Sequence, residues 1–505
     1  MTAMEKMNLF INNKYVESAA DTYYDVYNPS TGEIIAKAPK CTEKEASDAV
    51  EAAYRAFPAW KDTPVLKRVQ ILHNVRRIME EEMDELTMSV ARENGKAWEE
   101  ARGDVLKAKE ATEHAISMPS LMLGDSMMNA SSGYDTVMYR ESVGVFLGIV
   151  PFNFPAMIPM GWMTPLCVAC GNTIVIKASS STPMTALKFA DIYRRAGLPD
   201  GVLNVITCGR EVTDVLLADE RIKGVSFVGS TKVGLQIYEK ASKYGKRVQT
   251  LCEAKNHALV MKDAPIKRTA AGIINASFGC AGERCMALPV VAVEEEIADE
   301  LVAEIVRLAS QIKVGPAYDK TTKLGPVYSL AHKQKIIGDI EKGIADGAVC
   351  VLDGRNVTVE GFENGFYLGP TILDHVTSDM YVGQREIFGP VLCIKRVKDF
   401  EDGLRVMNGN PFANGSVIFT QNGYFAREFT KRTDGGMVGV NVGIPVPVGV
   451  FPFSGHKKSF FGSLHTLGKD GMNFYTDAKC VTQHWFAEEE KASQKVSTWD
   501  GTLNG

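Results

Sequence analysis

Val225-Ser226-Phe227-Val228-Gly229-Ser230-Thr231-Lys232-Val233-Gly234 is the stretch that decides the fold: an apolar run breaks at a Gly-Ser pair and continues as a helical pattern. It reads as strand, tight turn and helix, which presents backbone N–H groups and a helix N-terminus to the phosphates of a dinucleotide. Around it, residues 145–150, 173–176, 203–206, 224–228 and 247–251 are strand-like, with room between them for helices of about a dozen residues. One such helix, 184–195, is punctuated by Pro183 before it and by Gly197 and Pro199 after it. The pattern predicts an α/β fold with a Rossmann-like, parallel, doubly wound sheet whose ligands sit beyond the carboxyl ends of the strands.

Working outward, residues 8–15 look like a short strand, and 42–60 and 66–94 carry helical periodicity. Residues 118–139 are rich in Met, Ser and Gly and then alternate, as an extended arm would. A second α/β pattern lies downstream, with strand-like runs at 290–293, 349–352 and 391–394 and a helix over 298–311. No repeat with a period of ~20–50 residues is visible.

A chain of 505 residues calls for two or three domains. Its net charge of −5 offers no general attraction for nucleic acid or anionic membrane, so small molecules are the expected partners. The opening residues 1–7 lack the apolar stretch of a secretory signal, and no apolar run approaches the ~20 residues of a bilayer span. Ten cysteines in such a chain read as reduced thiols, and the expected location is the cytoplasm. Cys167 and Cys170 form a C-x-x-C in a mostly apolar stretch without further ligands nearby; they are expected to pack inside, and no metal is implied.

Chemistry concentrates on Cys285, in Gly282-Glu283-Arg284-Cys285-Met286-Ala287. A thiolate can add to a carbonyl, and the adduct can expel hydride when an acceptor is held beside it. Three candidate elements follow successive strands: Pro151-Phe152-Asn153-Phe154-Pro155, Lys177 and Gly229-Ser230. At such strand ends Lys177 can reach a ribose hydroxyl or phosphate. Asn153, in a loop stiffened by two prolines, can donate to an oxyanion, although a turn asparagine is the plainer reading of that residue alone.

The series PFNFP (151–155), VSFVGST (225–231), AKNH (254–257), FGCAGERCMA (278–287), REIFGPV (385–391) and NPFANG (410–415) resembles the aldehyde dehydrogenase superfamily over nearly the whole chain. AKNH, GERCMA and VGVNVGIPVPVGVFPFSG (438–455) look most like its CoA-acylating, methylmalonate-semialdehyde dehydrogenase branch. The resemblance implies Cys285 as nucleophile, with Asn153 and the Cys285 backbone amide as oxyanion hole. It implies hydride transfer to NAD and a Cys285 thioester that CoA attacks. Glu386 would bind the nicotinamide ribose, Phe388 would pack near the nicotinamide, and Val150 and Phe152 would line the cofactor cleft. It also implies a dimer or tetramer.

Several positions depart from the family pattern. Hydrolytic members carry a glutamate base where this chain has Leu251, in Leu251-Cys252-Glu253-Ala254-Lys255. A leucine cannot take a proton from water, which fits thiolysis by CoA; Glu253, standing where the family has a small residue, is a candidate displaced base. Cys252 is expected beside the cofactor. After Lys177 the family has a glutamate that chelates the adenosine ribose, whereas this chain has Ala178-Ser179-Ser180-Ser181. Ser180 and Ser181 are therefore candidate cofactor contacts, and NADP joins NAD, the first expectation. Of the two arginines that hold the substrate carboxylate in the acylating branch, one corresponds to Arg284 and the other to Lys107, which lacks the planar fork. Arg284 can also favour the Cys285 thiolate, and His456 is a further candidate for an anionic substrate.

The expected organisation is a cofactor domain (1–120 and 140–252), a catalytic domain (253–462), an oligomerisation arm of β structure (121–139 and 463–488) and a tail (489–505). The expected reaction is oxidation of methylmalonate or malonate semialdehyde to an acyl-CoA with decarboxylation. The rivals are oxidation of another anionic aldehyde, such as a sulfonated aldehyde or a different semialdehyde, to the free acid, and a non-catalytic binding or structural protein on the same fold.

Overall fold

Strands buried on both faces explain why the apolar runs of this sequence are continuous and not alternating. Val145–Ile149 and Val290–Glu294 are buried at every position. They lie inside two different sheets of the computed structural model, which describes residues 6–131, 133–489 and 491. Residues 1–5 and nearly all of the expected tail lie outside the described residues.

The first sheet has eight strands in the order Lys14–Val16, Leu9–Ile11, Leu203–Ile206, Thr173–Lys177, Val145–Ile149, Ile222–Val228, Arg247–Leu251 and Phe460–Gly462. Its five central strands are parallel. From Val145–Ile149 the chain first builds outward to one side and then returns to place Ile222–Val228 on the other. That reversal opens a crevice at the carboxyl ends of these two strands, beside residues 150–152 and 229–230.

The second sheet runs Val349–Leu352, Thr371–Asp374, Val391–Val397, Val290–Glu294, His257–Val260, Gly415–Phe419 and Met437–Val440, parallel except for its first edge strand. A separate antiparallel sheet joins Thr476–His484, Tyr134–Ser142 and Ser126–Ser131.

The differences from expectation are local. The helical region 66–94 is two helices, Val65–Glu81 and Met83–Asn94, because Glu82 leaves helical geometry (φ −105°, ψ 19°) and both pieces pack against helix Trp98–Ile116. The strand expected over 8–15 is a hairpin turning at Asn12 and Asn13, both with positive φ, as asparagine tolerates. Phe460–Gly462 pairs with Arg247–Leu251 and so belongs to the first sheet and not to the second. Within the segment 463–488 expected for the arm, Thr476–His484 is an edge strand of the antiparallel sheet, while Leu467, Met472, Phe474 and Tyr475 are buried in the core that covers the first sheet. Cys167 and Cys170 are buried at the end of a short helix, and all ten cysteines are free thiols. Among the described residues no helix is long and apolar enough to cross a membrane, and no cluster of three or more His, Cys, Asp or Glu side chains is placed to hold a metal.

Candidate active site

Cys285 sits on a loop made of unusual backbone. Cys280 (φ 50°), Ala281 (φ 53°) and Gly282 (φ 72°) are consecutive left-handed residues. A Cβ on Gly282 would stand 2.0 Å from the Gly389 carbonyl oxygen, so glycine lets the loop bearing Cys285 dock on the loop bearing Glu386 and Phe388. Two asparagines hold the Cys285 carbonyl from remote segments. Asn256 Nδ2 donates to it at 2.9 Å and to Ala287 O at 2.7 Å, and Asn414 Nδ2 donates at 3.4 Å. The motifs AKNH and NPFANG therefore meet at this residue.

The loop bearing Asn153 leaves the carboxyl end of Val145–Ile149 and is pinned from behind. The buried Lys96 ammonium donates to Asn153 O and, at 3.0 Å, to Asp104 Oδ2, and it lies over the Phe154 ring. Asn94 Nδ2 and Thr182 Oγ1 donate to Phe152 O at 3.0 and 3.2 Å. Asn153 Nδ2 donates to Glu283 O at 3.0 Å, two residues before the cysteine. One amide hydrogen thus ties the two loops together and leaves the second for a ligand.

Cys285, Asn153, Glu386, Phe388, Cys252 and Glu253 line one cavity of about 170 Å³, together with Phe152, Gly229 and Ser230. Burial is the main cause that pushes the Cys285 thiol up to about 12. Glu386 adds to the rise, while the amides of Cys285 and Met286 and the Arg284 guanidinium oppose it. Burial likewise pushes Glu386 up to about 8, opposed by the Ala254 N–H, which donates to its Oε1 at 3.1 Å, and reinforced by Glu253.

A groove of about 630 Å³ adjoins this cavity and shares Pro151, Phe152, Val228, Gly229 and Ser230 with it. Val150, Lys177, Ser180, Gly209 and Arg210 continue its wall. It follows the crevice at the strand reversal and meets the N-termini of helices Arg210–Ala218 and Thr231–Lys243, so its size, cations and helix N-termini suit an extended dinucleotide. A Cβ on Gly234 would lie 2.4 Å from Cys252 Sγ, so this glycine lets helix Thr231–Lys243 lie close over the strand end. Burial holds the Lys177 ammonium below its ordinary range.

The sequence-derived candidates divide accordingly. Val150, Phe152, Lys177, Ser180, Gly229 and Ser230 line the groove; Cys252, Glu386, Phe388, Cys285 and Asn153 line the cavity. Ser181 lines neither. The three substrate candidates also lie outside both linings, each satisfied by another partner. Lys107 is exposed with its ammonium on Glu110 at 2.5 Å. Arg284 is paired with Glu100 at 3.3 Å and donates to Cys280 Sγ at 3.1 Å. His456 is exposed in a two-residue strand, with Nδ1 at 2.9 Å from Asp434 O. Sequence reasoning missed Lys96, Asn256, Asn414 and Arg210. Arg210 was within reach of the strand-end rule, since it opens the helix after Leu203–Ile206.

Comparison with known proteins adds an independent line. The model of the aldehyde dehydrogenase family matches residues 15–481. A malonate-semialdehyde dehydrogenase of Bacillus cytotoxicus is 44% identical over 485 residues, covering 96% of this chain and 99% of its own. The crystal structure of a methylmalonate-semialdehyde dehydrogenase from Oceanimonas doudoroffii superposes with a TM-score of 0.95 at 40% identity, covering 97% of this chain and 100% of that one. A Sinorhizobium meliloti protein solved in complex with NAD gives a TM-score of 0.95 at 37% identity, covering 96% and 99%.

Proposed function

The chain belongs to the aldehyde dehydrogenase family, and from that premise we propose that it oxidises malonate or methylmalonate semialdehyde to an acyl-CoA through a thioester on Cys285. In this reading the Cys285 sulfur adds to the aldehyde carbon, and the free Asn153 N–H and the Cys285 backbone N–H receive the developing oxyanion. Lys177, Ser180, Gly229, Ser230 and Glu386 hold a nicotinamide dinucleotide, which when bound supplies the hydride acceptor. The thiol of CoA then takes the acyl group from Cys285, and the substrate carboxylate leaves as carbon dioxide. Arg284, beside the nucleophile, is the proposed partner of the substrate carboxylate, a role that requires it to exchange Glu100.

One observation carries the choice of thiolysis over hydrolysis. At the position of the hydrolytic base stands Leu251, a buried leucine at the end of its strand, while the nearby Glu253 carboxylate is engaged by the Thr231 N–H. Turnover with either semialdehyde should depend on CoA and yield acyl-CoA; free acid formed at an undiminished rate without CoA rejects the acylating reading. The position of Glu253 in the Cys285 cavity favours the hydrolytic alternative, which that same product assay scores.

NAD is the proposed acceptor. Residues 178–181 place no carboxylate in the groove beside Lys177, which lets a 2′-phosphate approach, so the kinetics of both dinucleotides are to be compared. A homo-oligomer is proposed on the antiparallel arm, where Met127, Met128 and Tyr139 are exposed. Light scattering on the purified chain tests it. The free thiols suit a reducing compartment, in keeping with the cytoplasm.

A further inference from the structure

Helix Thr231–Lys243 begins at the waist between the groove and the Cys285 cavity, and its first donor is already taken. Ser230 is its N-cap but makes no side-chain capping bond. The Thr231 N–H donates instead to Glu253 Oε2 at 2.9 Å, and Thr231 Oγ1 accepts from the Glu253 N–H at 3.3 Å. A carboxylate from the end of the neighbouring strand therefore does the capping.

The backbone of this carboxylate is fixed. Ser459 Oγ donates to Glu253 O at 2.7 Å, and the Cys252 N–H donates to Ser459 O at 2.8 Å. Its side chain is only part-buried and borders the cavity that also holds Glu386. Rotation of that side chain alone would free the helix N-terminus, without movement of the strand. The same N-terminus is where an anionic ligand in the groove finds its backbone donors and the positive end of the helix dipole. A carboxylate and a phosphate cannot both occupy it, and a second negative charge nearby repels the ligand even after the side chain has rotated.

Resting on the dinucleotide reading above, we propose that Glu253 is an internal competitor for the cofactor diphosphate, occupying the N-terminus of helix Thr231–Lys243 until the dinucleotide displaces it. The residue thereby sets cofactor affinity. In the cofactor-free enzyme the groove stays open while the first donor of the helix is occupied, and the penalty falls on the phosphates and not on the nucleoside.

The test measures dissociation constants of the full-length protein for NAD, ADP-ribose and adenosine by titration calorimetry, for the wild type, Glu253→Gln and Glu253→Gly. Thermal unfolding confirms that each variant folds, and the two substitutions stand in for one another if either does not. Both variants should bind NAD and ADP-ribose about tenfold more tightly and adenosine with unchanged affinity. Unchanged or weaker binding of NAD and ADP-ribose overturns the proposal, as does an equal gain for adenosine, which carries no phosphate. Binding of NAD by none of the three proteins overturns the dinucleotide reading itself and this inference with it.

Discussion

The groove and the cavity share five wall residues yet differ in the ionisable groups that line them. At the far end of the groove stand Lys177 and Arg210, with Lys240 paired to Asp214. Around Cys285 stand Glu253 and Glu386, and the buried Glu283, two residues before it, turns its carboxyl to the Tyr328 N–H. One end is built to receive an anion. The other raises the cost of forming one, by burial first and by the Glu386 carboxyl second, and so holds the Cys285 thiol up. The difference teaches that affinity and reactivity are separable along a single cleft, and substitutions at either end should show it.

The largest effect is expected at the acidic end. Cys285→Ala should lower dinucleotide reduction by roughly 10⁴-fold or more while dinucleotide binding persists; absorbance of the reduced nicotinamide and calorimetry read the two. A variant that still turns over would break the comparison. Next comes the support behind the site. Lys96→Met strands the fully buried Asp104 carboxylate, whose partner at 3.0 Å is lost, and should cost about 3–5 kcal/mol in urea unfolding. Asn153→Ala should lower kcat by roughly 10²–10³-fold, the usual loss for one oxyanion donor, with little change in dinucleotide affinity.

Smaller effects sharpen the contrast. The Cys285 thiol lies near 12 and the thiolate is the reactive form, so alkylation should speed up about tenfold per pH unit from neutrality. Glu386, pushed up to about 8, ionises within that range and then opposes a second negative charge. The rise should therefore flatten across about pH 8 and then resume its slope in the wild type, and stay straight in Glu386→Gln; a bend that survives the substitution removes Glu386 as its cause. Least of all, Lys177→Met should weaken dinucleotide binding by about tenfold and leave the alkylation rate unchanged.

Much of the fold was legible because its strands are central and parallel. Strands Leu203–Ile206 and Arg247–Leu251 and helix Met184–Arg195 begin and end where the apolar runs and the punctuation by Pro and Gly place them. The break at Glu82 was not legible, since neither glycine nor proline marks it and the packing of both helices on Trp98–Ile116 decides it. The site was legible by identity and less so by direction. Residues that follow strand ends, such as Lys177 and Gly229, reach the groove because the sheet aims them there. Arg284 was placed by the resemblance and His456 by adjacency to a motif, and neither fixes where a long side chain finds its partner.

The sequence by itself determined the strand-turn-helix that forms the groove, because that is a property of residue type and local spacing, while its resemblance to the family singled out Cys285, Asn153 and Leu251 as the residues to be tested for the chemistry. Only the tertiary structure decided that Arg284 lies on Glu100 and that Glu253 caps helix Thr231–Lys243. Those contacts join residues far apart in the chain, and a charged side chain's direction is set by whichever partner the packed fold brings within hydrogen-bonding distance.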